Sequence, residues 1–265
     1  MNWVLAAGAG GFNPPTEEEF HWPPIFEIHL GAVDLSINRP VILTWLVVLI
    51  VGGLLYAAFA KPKLIPGKFQ NLMETAVEFV RKEIIIEVLG PEHGPRWVPY
   101  LTTLFFFVFV GNLFEVIPLI NLPTNFRSAN TWFLAIFSLI IFVSVGIASQ
   151  GPVKYLKSVM APPGVPVFVL PLIAIIEVFS TFIIRPLTLS VRLLGNMIAG
   201  HFLLLIFWFG TAYLLQPSIA AAFSVVSFGM SVALVGFELV VALLQAYIFT
   251  ILTAVYIAGA VQPEH

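Results

Sequence analysis

The sequence predicts an all-α polytopic membrane protein. Of its 265 residues, 59% are apolar and only 10% are charged. The mean hydropathy is +0.99, well above that of a soluble domain or a disordered chain. The apolar residues are gathered into runs of about 20 residues or longer, the length that a helix needs to cross about 30 Å of hydrocarbon.

The apolar runs predict about five membrane helices. These are residues 41–60, 97–120, 132–148, 165–215 and 218–260. As helices, the last two would be about 75 and about 60 Å long, roughly twice the membrane thickness. We therefore expect a hairpin of two long tilted helices joined near Gln216 and Pro217. Each run could instead fold back as two spans, and Pro186 marks a candidate break because proline cannot donate a helical hydrogen bond.

Outside the apolar runs, the chain divides into a tail and connecting segments. Residues 1–39 are predicted to be an extracytoplasmic tail, and residues 40–265 a single membrane domain. Residues 66–92 mix charges with apolar residues at helical intervals, which is typical of an amphipathic helix at the cytoplasmic surface; a solvated connector is the alternative. We predict a turn at residues 121–130 and a loop at residues 150–164, where Pro162, Pro163 and Gly164 break regular structure.

The positive charges of the loops predict the orientation. Five basic residues lie within residues 61–82 and two within residues 154–157, whereas the tail and the 121–130 turn carry one each. Positive charge favours the cytoplasmic side. The N terminus is therefore predicted outside and the C terminus in the cytoplasm. Because the first residues resemble neither a signal nor a transit peptide, we expect the plasma membrane of a bacterium.

Several classes of function find no support in the composition. The net charge is −2 with no basic tract, so nucleic-acid binding has no electrostatic basis. There is no cysteine for disulfides or thiolate metal sites. A GxxxxGK[ST] phosphate-binding loop is also missing. We expect no cofactor, no metal and no catalytic residue in this chain.

The most informative stretch is FIIRPLTLSVRLLGNMIAGHF, residues 182–202, because it sets Arg192 in an apolar run. A central arginine costs roughly 2.5 to 3.5 kcal/mol to insert, so such charges are normally paired and functional. At about 100° per residue, Asn196 lies about 40° from Arg192 and His201 about 180° away. Gly195 and Ala199 form a small-xxx-small pair beside the arginine, which predicts close approach of another helix.

The segment RPLTLSVRLLGNMIAGH, followed by Glu238 and Gln245 in FELVVALLQAYIFTILTAVYI, resembles subunit a of the membrane (Fo) sector of F-type ATP synthases. The resemblance extends from NLFEVIP to the C terminus, and more loosely back to the first span. It implies a stator with two offset proton half-channels, and it matches Arg192 with the essential arginine. It also implies a rotor ring of subunit c and a peripheral stalk of subunit b as partners, within the lipid bilayer.

Two further residues are candidates for proton transfer. Imidazole groups titrate near neutrality, and burial moves carboxyl groups toward the same range, so His201 and Glu238 could exchange protons at physiological pH. A lone histidine on an apolar helix can also be a packing residue. The family commonly has one acid and one histidine at these two positions, in either order, which implies that the hairpin brings them together.

The remaining polar residues of the spans admit both structural and functional roles. Gln245 lies about 20° from Glu238 on the helical wheel and could make an interhelical hydrogen bond. The resemblance implies that Gln245 restrains Arg192 through hydrogen bonds. Asn196, which lies beside Arg192 on the helical wheel, has the same two alternative roles. Arg185 is expected to extend toward an interface or a lipid headgroup. Possible linings of a half-channel are Asn112, Glu115, Glu177 and Thr188; the last could simply bond back to a backbone carbonyl.

The function that the resemblance implies is that of the proton-channel stator, which catalyses nothing alone. Arg192 retains its proton at any physiological pH and so acts as a fixed cation between the half-channels. A structural ion pair with an acid of the same chain is one alternative for Arg192. A stand-alone ion-coupled secondary transporter is the alternative for the whole chain, although no inverted repeat supports it.

Overall fold

The structure is a computed structural model that describes residues 25, 27, 29–30, 33–34, 38–117, 128–160, 168–215 and 221–261. Five helical segments in this part of the chain are long and apolar enough to cross a membrane: Arg39–Phe59, Lys68–Phe114, Asn130–Gln150, Leu170–Leu214 and Ala221–Val261. The predicted fold class, an all-α membrane protein with about five membrane helices, is therefore confirmed.

The helices are numbered in chain order. They are α1 (Arg39–Phe59), α2 (Lys68–Val80), α3 (Glu87–His93), α4 (Val98–Val116), α5 (Ser128–Gln150), α6 (Pro152–Met160), α7 (Leu170–Phe179), α8 (Arg185–Leu214) and α9 (Ala221–Val261). Two π-helical turns, Arg81–Ile86 and Ser180–Ile184, join α2 to α3 and α7 to α8. A 3₁₀ turn, Gly94–Trp97, leads into α4.

A small feature of the N-terminal tail was not predicted. Residues His29–Leu30 (β1) and Val33–Asp34 (β2) pair as two antiparallel strands, with His29 opposite Asp34. The pair is too short to form a layer of the fold, which remains a helical bundle.

The charged segment after α1 is amphipathic, and its apolar side packs against the other helices of the bundle. Helix α2 buries Met73 and Val80, and the π-helical turn that follows buries Ile84 and Ile85 completely. At Gly90 the backbone bends, with φ of +73°, a conformation that glycine adopts without strain. A solvated connector is therefore wrong for this segment, because its apolar face packs on α4 and α9.

The long helices of the hairpin are the main structural unit. Helix α9 has 41 residues, about 60 Å, and the continuous α7–α8 segment has 45 residues, about 68 Å. Both exceed the thickness of the hydrocarbon, so they must lie steeply tilted. The two helices pack more extensively with each other than any other pair, which confirms the hairpin. The predicted junction at Gln216 and Pro217 lies outside the described residues, as does most of the 121–130 turn.

Pro186 does not break the helix. In the π-helical turn before it, the amide of Arg185 donates to the carbonyl of Ser180, five residues back. Such a widened turn is one of the local adjustments by which membrane helices accommodate a proline. The alternative of two separate spans at this point is wrong.

Part of the predicted loop at residues 150–164 is helical. Gly151, with φ of +83°, reverses the chain, and α6 then folds back along α5. The ring of Tyr155 lies directly against Gly146, where a Cβ atom would overlap it. The loop prediction is wrong for residues 152–160 because Gly151 alone turns the chain, and a helix begins directly after it at Pro152.

Hydrogen bonds between helices fix the end of the hairpin. Ser149 Oγ and Gln150 Nε2 both donate to the carbonyl of Ala260, over 3.2 and 2.9 Å. That carbonyl belongs to the last turn of α9, whose acceptors have no partner within the helix. The end of α5 therefore holds the end of α9 in place.

Candidate functional site

Helix α8 has two different faces at the centre of the hairpin. One face is buried and includes Leu193, Met197, Gly200, His201 and Leu204. The other face is exposed and carries Arg192, with Gly195 and Ala199 beside it. The predicted separation of Arg192 and His201 onto opposite sides of the helix is thus what the structure has.

Arg192 forms no ion pair with any acid in the part of the chain that the structure describes. The ion pairs found there belong to α2 and the π-helical turn after it. Glu78 pairs through Oε2 with Arg81 Nη1 at 3.4 Å and through Oε1 with Lys82 Nζ at 3.1 Å. An intramembrane arginine on an exposed face needs a partner or water. A structural ion pair between Arg192 and an acid of the same chain is therefore not formed among the described residues.

Glu238 lies on the buried side of α9, directly against α8. Its side chain is 5% exposed, and His201 is 4% exposed. A Cβ atom placed on Gly200 would lie 2.7 Å from Cδ and 2.8 Å from Oε2 of Glu238, and closer still to Oε1. The carboxyl group therefore rests on the backbone of the residue that precedes His201. The hairpin brings Glu238 and His201 into the same layer of the interface.

Gly200 is the site residue that sequence reasoning missed. Its role depends on close approach, because only a residue without Cβ lets the carboxyl group of Glu238 reach the backbone of α8. The sequence contains one signal for it: a glycine directly before a histidine, in a helix interior where glycine is unfavourable. What could not be read from the sequence was the register that sets Glu238 opposite it.

Gln245 is buried, at 6% exposed, and its Nε2 atom has no hydrogen-bond partner among the described residues. An interhelical hydrogen bond from this amide nitrogen is thus not formed within that part of the chain. Asn196 is half-buried, between the exposed and the buried faces of α8. Neither residue has a described contact with the guanidinium of Arg192, so their predicted roles beside it stay predictions.

The predicted channel linings lie in different parts of the bundle. Asn112 is 2% exposed within α4, and Glu177 is half-buried on α7. Glu115 belongs to α4, but its side chain lies outside the described part. Thr188 is exposed, and its hydroxyl donates to the carbonyl of Arg185 over 2.9 Å. The back-bonding role considered for Thr188 is therefore the one it has here.

Arg185 makes a contact that was not predicted. Its guanidinium lies over the ring of Tyr256 on α9, with Cζ 5.0 Å from the ring centroid. This is a cation–π contact across the hairpin. The antiparallel register of α8 and α9 sets an aromatic face opposite the arginine. Extension of Arg185 toward an interface or a lipid headgroup stays a prediction.

Candidate metal ligands do not cluster in the described part of the chain. The described residues contain no group of three or more His, Asp or Glu side chains that could hold a metal ion. The site is a polar layer within an apolar interface: Glu238 and His201 are buried, and Arg192 lies on the exposed face of α8, about two and a half turns before His201.

Comparison with known proteins gives consistent matches. A sequence model of the family described as "ATP synthase A chain" matches residues 41–258. The chain is 45% identical over 259 residues to "ATP synthase subunit a" of Parafrankia sp. (strain EAN1pec), covering 97% of this chain and 87% of the relative. It is 43% identical over 251 residues to the protein of that name from Frankia alni, covering 94% and 86%. The corresponding Rhodococcus erythropolis protein is 40% identical over 263 residues, covering 98% and 94%.

Proposed function

Because the chain belongs to the ATP synthase A chain family, we propose that Arg192 separates two proton half-channels and meets the carboxylate of each passing rotor subunit. Members of the family are the non-catalytic proton-channel subunit of the Fo membrane sector of the ATP synthase. The alternative of a stand-alone secondary transporter is not supported by these matches.

The observation that carries the proposal is the position of Arg192. It is exposed on a membrane-spanning helix and has no ion pair within the described part of the chain. If this face met lipid, the charge would cost roughly 2.5 to 3.5 kcal/mol. A carboxylate on a neighbouring subunit removes that cost. The small residues Gly195 and Ala199 beside it allow a second helix to approach closely.

In the proposed mechanism, protons cross the membrane in two stages joined by the rotor. A proton from outside passes the buried layer of Glu238 and His201 and protonates a rotor carboxylate. After rotation, the carboxylate releases its proton into the second half-channel. Arg192 repels protons between the two paths and favours ionisation of the arriving carboxylate. Because a guanidinium stays protonated, it cannot itself pass a proton across.

The other residues named above receive supporting roles. Gln245 and Asn196 restrain the guanidinium from the side of the hairpin. Asn112, Glu115 and Glu177 line the half-channels. These assignments rest on the position of the five polar residues within apolar segments, where polar groups are costly unless they serve a path or a partner.

The proposal extends to orientation and assembly. The basic residues of residues 61–82 and 154–157 favour a cytoplasmic position of those segments. The N terminus is then outside and the C terminus is inside a bacterial plasma membrane. The rotor ring of subunit c lies against the exposed face of α8, and subunit b supplies the peripheral stalk.

The experiment that tests the proposal replaces Arg192 with alanine. In inverted membrane vesicles, the Arg192→Ala complex should hydrolyse ATP but pump no protons, measured by quenching of a pH-sensitive dye. The matched control is Arg81→Ala, which removes an exposed arginine paired with Glu78 at the surface. Pumping at the normal rate by an assembled Arg192→Ala complex would exclude the proposed role.

A further inference from the structure

A pair of hydroxyl groups joins the C-terminal end of α8 to the N-terminal end of α9. Ser227 on α9 donates to the carbonyl of Phe207 on α8 over 3.0 Å. Thr211 on α8 donates to Ser227 Oγ over 3.0 Å and shares the same hydrogen with the carbonyl of Phe207 over 2.7 Å. A Cβ atom on Gly210 would lie 3.3 Å from Ser227 Oγ, so the glycine permits this close approach. We call these hydrogen bonds the Thr211–Ser227 clamp.

The neighbouring serines of α9 do not bond across the hairpin in this way. Ser224 donates to the carbonyl of Ala221 over 2.6 Å, and Ser231 donates to that of Phe228 over 2.7 Å. Such back-bonding is a common way for a helical serine to satisfy its hydroxyl. Ser227 instead reaches a carbonyl of the other helix. Hydrogen bonds between membrane helices contribute to their packing, because lipid provides no hydrophobic force that would hold them together.

The clamp and the contact between Glu238 and Gly200 belong to one register of the hairpin. Thr211 lies eleven residues after Gly200 on α8, and Ser227 lies eleven residues before Glu238 on α9. The two helices are antiparallel, so both steps lead in the same direction along the hairpin. Eleven residues rise about 16.5 Å and turn a helix by about 20° beyond three full turns. The two contacts therefore lie on the same side of each helix, and fixing one of them fixes the other.

The contact at Gly200 tolerates little sliding of α9 along α8. Met197 and Leu204 lie about one turn to either side of Gly200 on the same buried face, and they are 0% and 3% exposed. A shift by one turn, about 5.4 Å, would set the carboxyl group of Glu238 against one of these large side chains. A shift by a single residue, about 1.5 Å, already exceeds the displacement of about 1 Å that can lower a rate about a hundredfold.

We propose that Thr211 and Ser227 are positioning residues for proton transfer. Their clamp sets the register in which the carboxyl group of Glu238 rests on Gly200, and so fixes where that group takes up a proton. The inference rests on the proposed function of the chain, because it concerns the proton path through the buried layer. The two hydroxyl groups do not themselves carry the proton. Without the clamp, both helices remain folded and their register is less sharply fixed.

The first measurement is ATP-driven proton pumping in inverted membrane vesicles, normalised to the amount of assembled complex. Ser227→Ala removes the hydroxyl that bonds to Phe207, and Thr211→Val removes its partner while keeping the shape of the side chain. Each should lower pumping about tenfold, because the acid is displaced. Thr211→Ser keeps the hydroxyl and should retain pumping. The matched control is Ser231→Ala, one turn further along α9, which removes a hydroxyl bonded to its own helix.

The second measurement combines Ser227→Ala with Gly200→Ala, which adds a Cβ atom against the carboxyl group of Glu238. Substitutions more than about 10 Å apart normally act independently, so their fold-losses multiply. If the clamp acts through the contact at Gly200, the double variant should instead pump nearly as well as Gly200→Ala alone. A loss equal to the product of the two single losses would overturn the inference, since Ser227 would then act only on its own surroundings.

The third measurement needs no variant. Cryo-electron microscopy of the unmodified, intact ATP synthase complex should show Ser227 Oγ within hydrogen-bond distance of the carbonyl of Phe207. The same map should show the carboxyl group of Glu238 over Gly200. A map in which Ser227 bonds to its own helix while Glu238 keeps its place would overturn the clamp, whatever the role of Arg192.

The outcomes separate this inference from the proposed function. Normal pumping by both Ser227→Ala and Thr211→Val, with pumping still abolished by Arg192→Ala, would overturn the positioning role and leave the stator function intact. An equal loss in Ser231→Ala would also overturn it, since removal of any hydroxyl from this part of α9 would then have the same effect. Normal pumping by Arg192→Ala would instead remove the function on which the inference rests.

Discussion

Replacing Gly200 with alanine tests the geometry of the buried layer directly. The added Cβ would lie 2.7 Å from Cδ of Glu238, whereas ordinary contacts begin at 3.4 Å. The carboxyl group would have to retreat by at least about 0.7 Å. Alanine stabilises a helix interior by about 0.5 to 1 kcal/mol relative to glycine. Because the carboxyl group ends a flexible side chain, it can move aside at little cost in stability, so the main effect is displacement of the acid.

The expected result is a complex that assembles but transfers protons slowly. A displacement of about 1 Å at a reacting group can lower a rate about a hundredfold. We therefore expect ATP-driven pumping by Gly200→Ala to fall at least about tenfold, which corresponds to about 1.4 kcal/mol in the barrier. The assay is dye quenching in inverted membrane vesicles, with the amount of assembled complex measured in parallel.

A control and a second-site change make this prediction specific. Gly53 in α1 has no atom within 4 Å of an added Cβ, so Gly53→Ala should gain the same helix preference and pump normally. Adding Glu238→Asp to Gly200→Ala shortens the acid by one methylene and should recover part of the activity. Equal pumping by Gly200→Ala and Gly53→Ala would refute the reasoning that the carboxyl group needs the space over Gly200.

Three further predictions concern charged and titratable groups. Arg192→Lys should lose most ATP synthesis, because an ammonium lacks the planar fork of the guanidinium and can lose its proton when desolvated; normal synthesis would contradict this. Exchanging His201→Glu with Glu238→His should pump better than either single change, whereas equal loss in all three would mean that the two sites are independent. Arg185→Leu removes the cation–π contact with Tyr256 and should lower the stability of the complex by about 0.5 to 2 kcal/mol. The measurement is thermal unfolding in detergent. An unchanged midpoint temperature of unfolding would mean that the stacking contributes nothing to stability.

The membrane architecture could be predicted from the sequence because the length of an apolar run shows whether a helix can cross the hydrocarbon of the bilayer. The five spans and the long hairpin follow from apolar runs that exceed the bilayer thickness. The opposite placement of Arg192 and His201 followed from helical periodicity alone, since nine residues turn a helix by about 180°.

Features that depend on register could not be predicted in the same way. The contact between Glu238 and Gly200 and the stacking of Arg185 on Tyr256 both depend on how α8 and α9 slide along each other. A shift of one turn would leave each helix unchanged and remove both contacts. The π-helical turn before Pro186 was missed for a related reason: a proline signals interruption, but neighbouring residues decide whether the helix breaks or widens.

The central claim, that the exposed face of α8 beside Arg192 meets the rotor ring, is tested most directly by disulfide crosslinking. The chain contains no cysteine, so no native cysteine of this chain competes with an introduced one for disulfide formation. Leu203 lies eleven residues from Arg192, about 20° away on the helical wheel, and is 40% exposed. With a cysteine in the outer helix of subunit c, Leu203→Cys should form a crosslinked product on oxidation, while Trp45→Cys, 55% exposed on α1, should not. A crosslink from Trp45→Cys but none from Leu203→Cys would contradict the account.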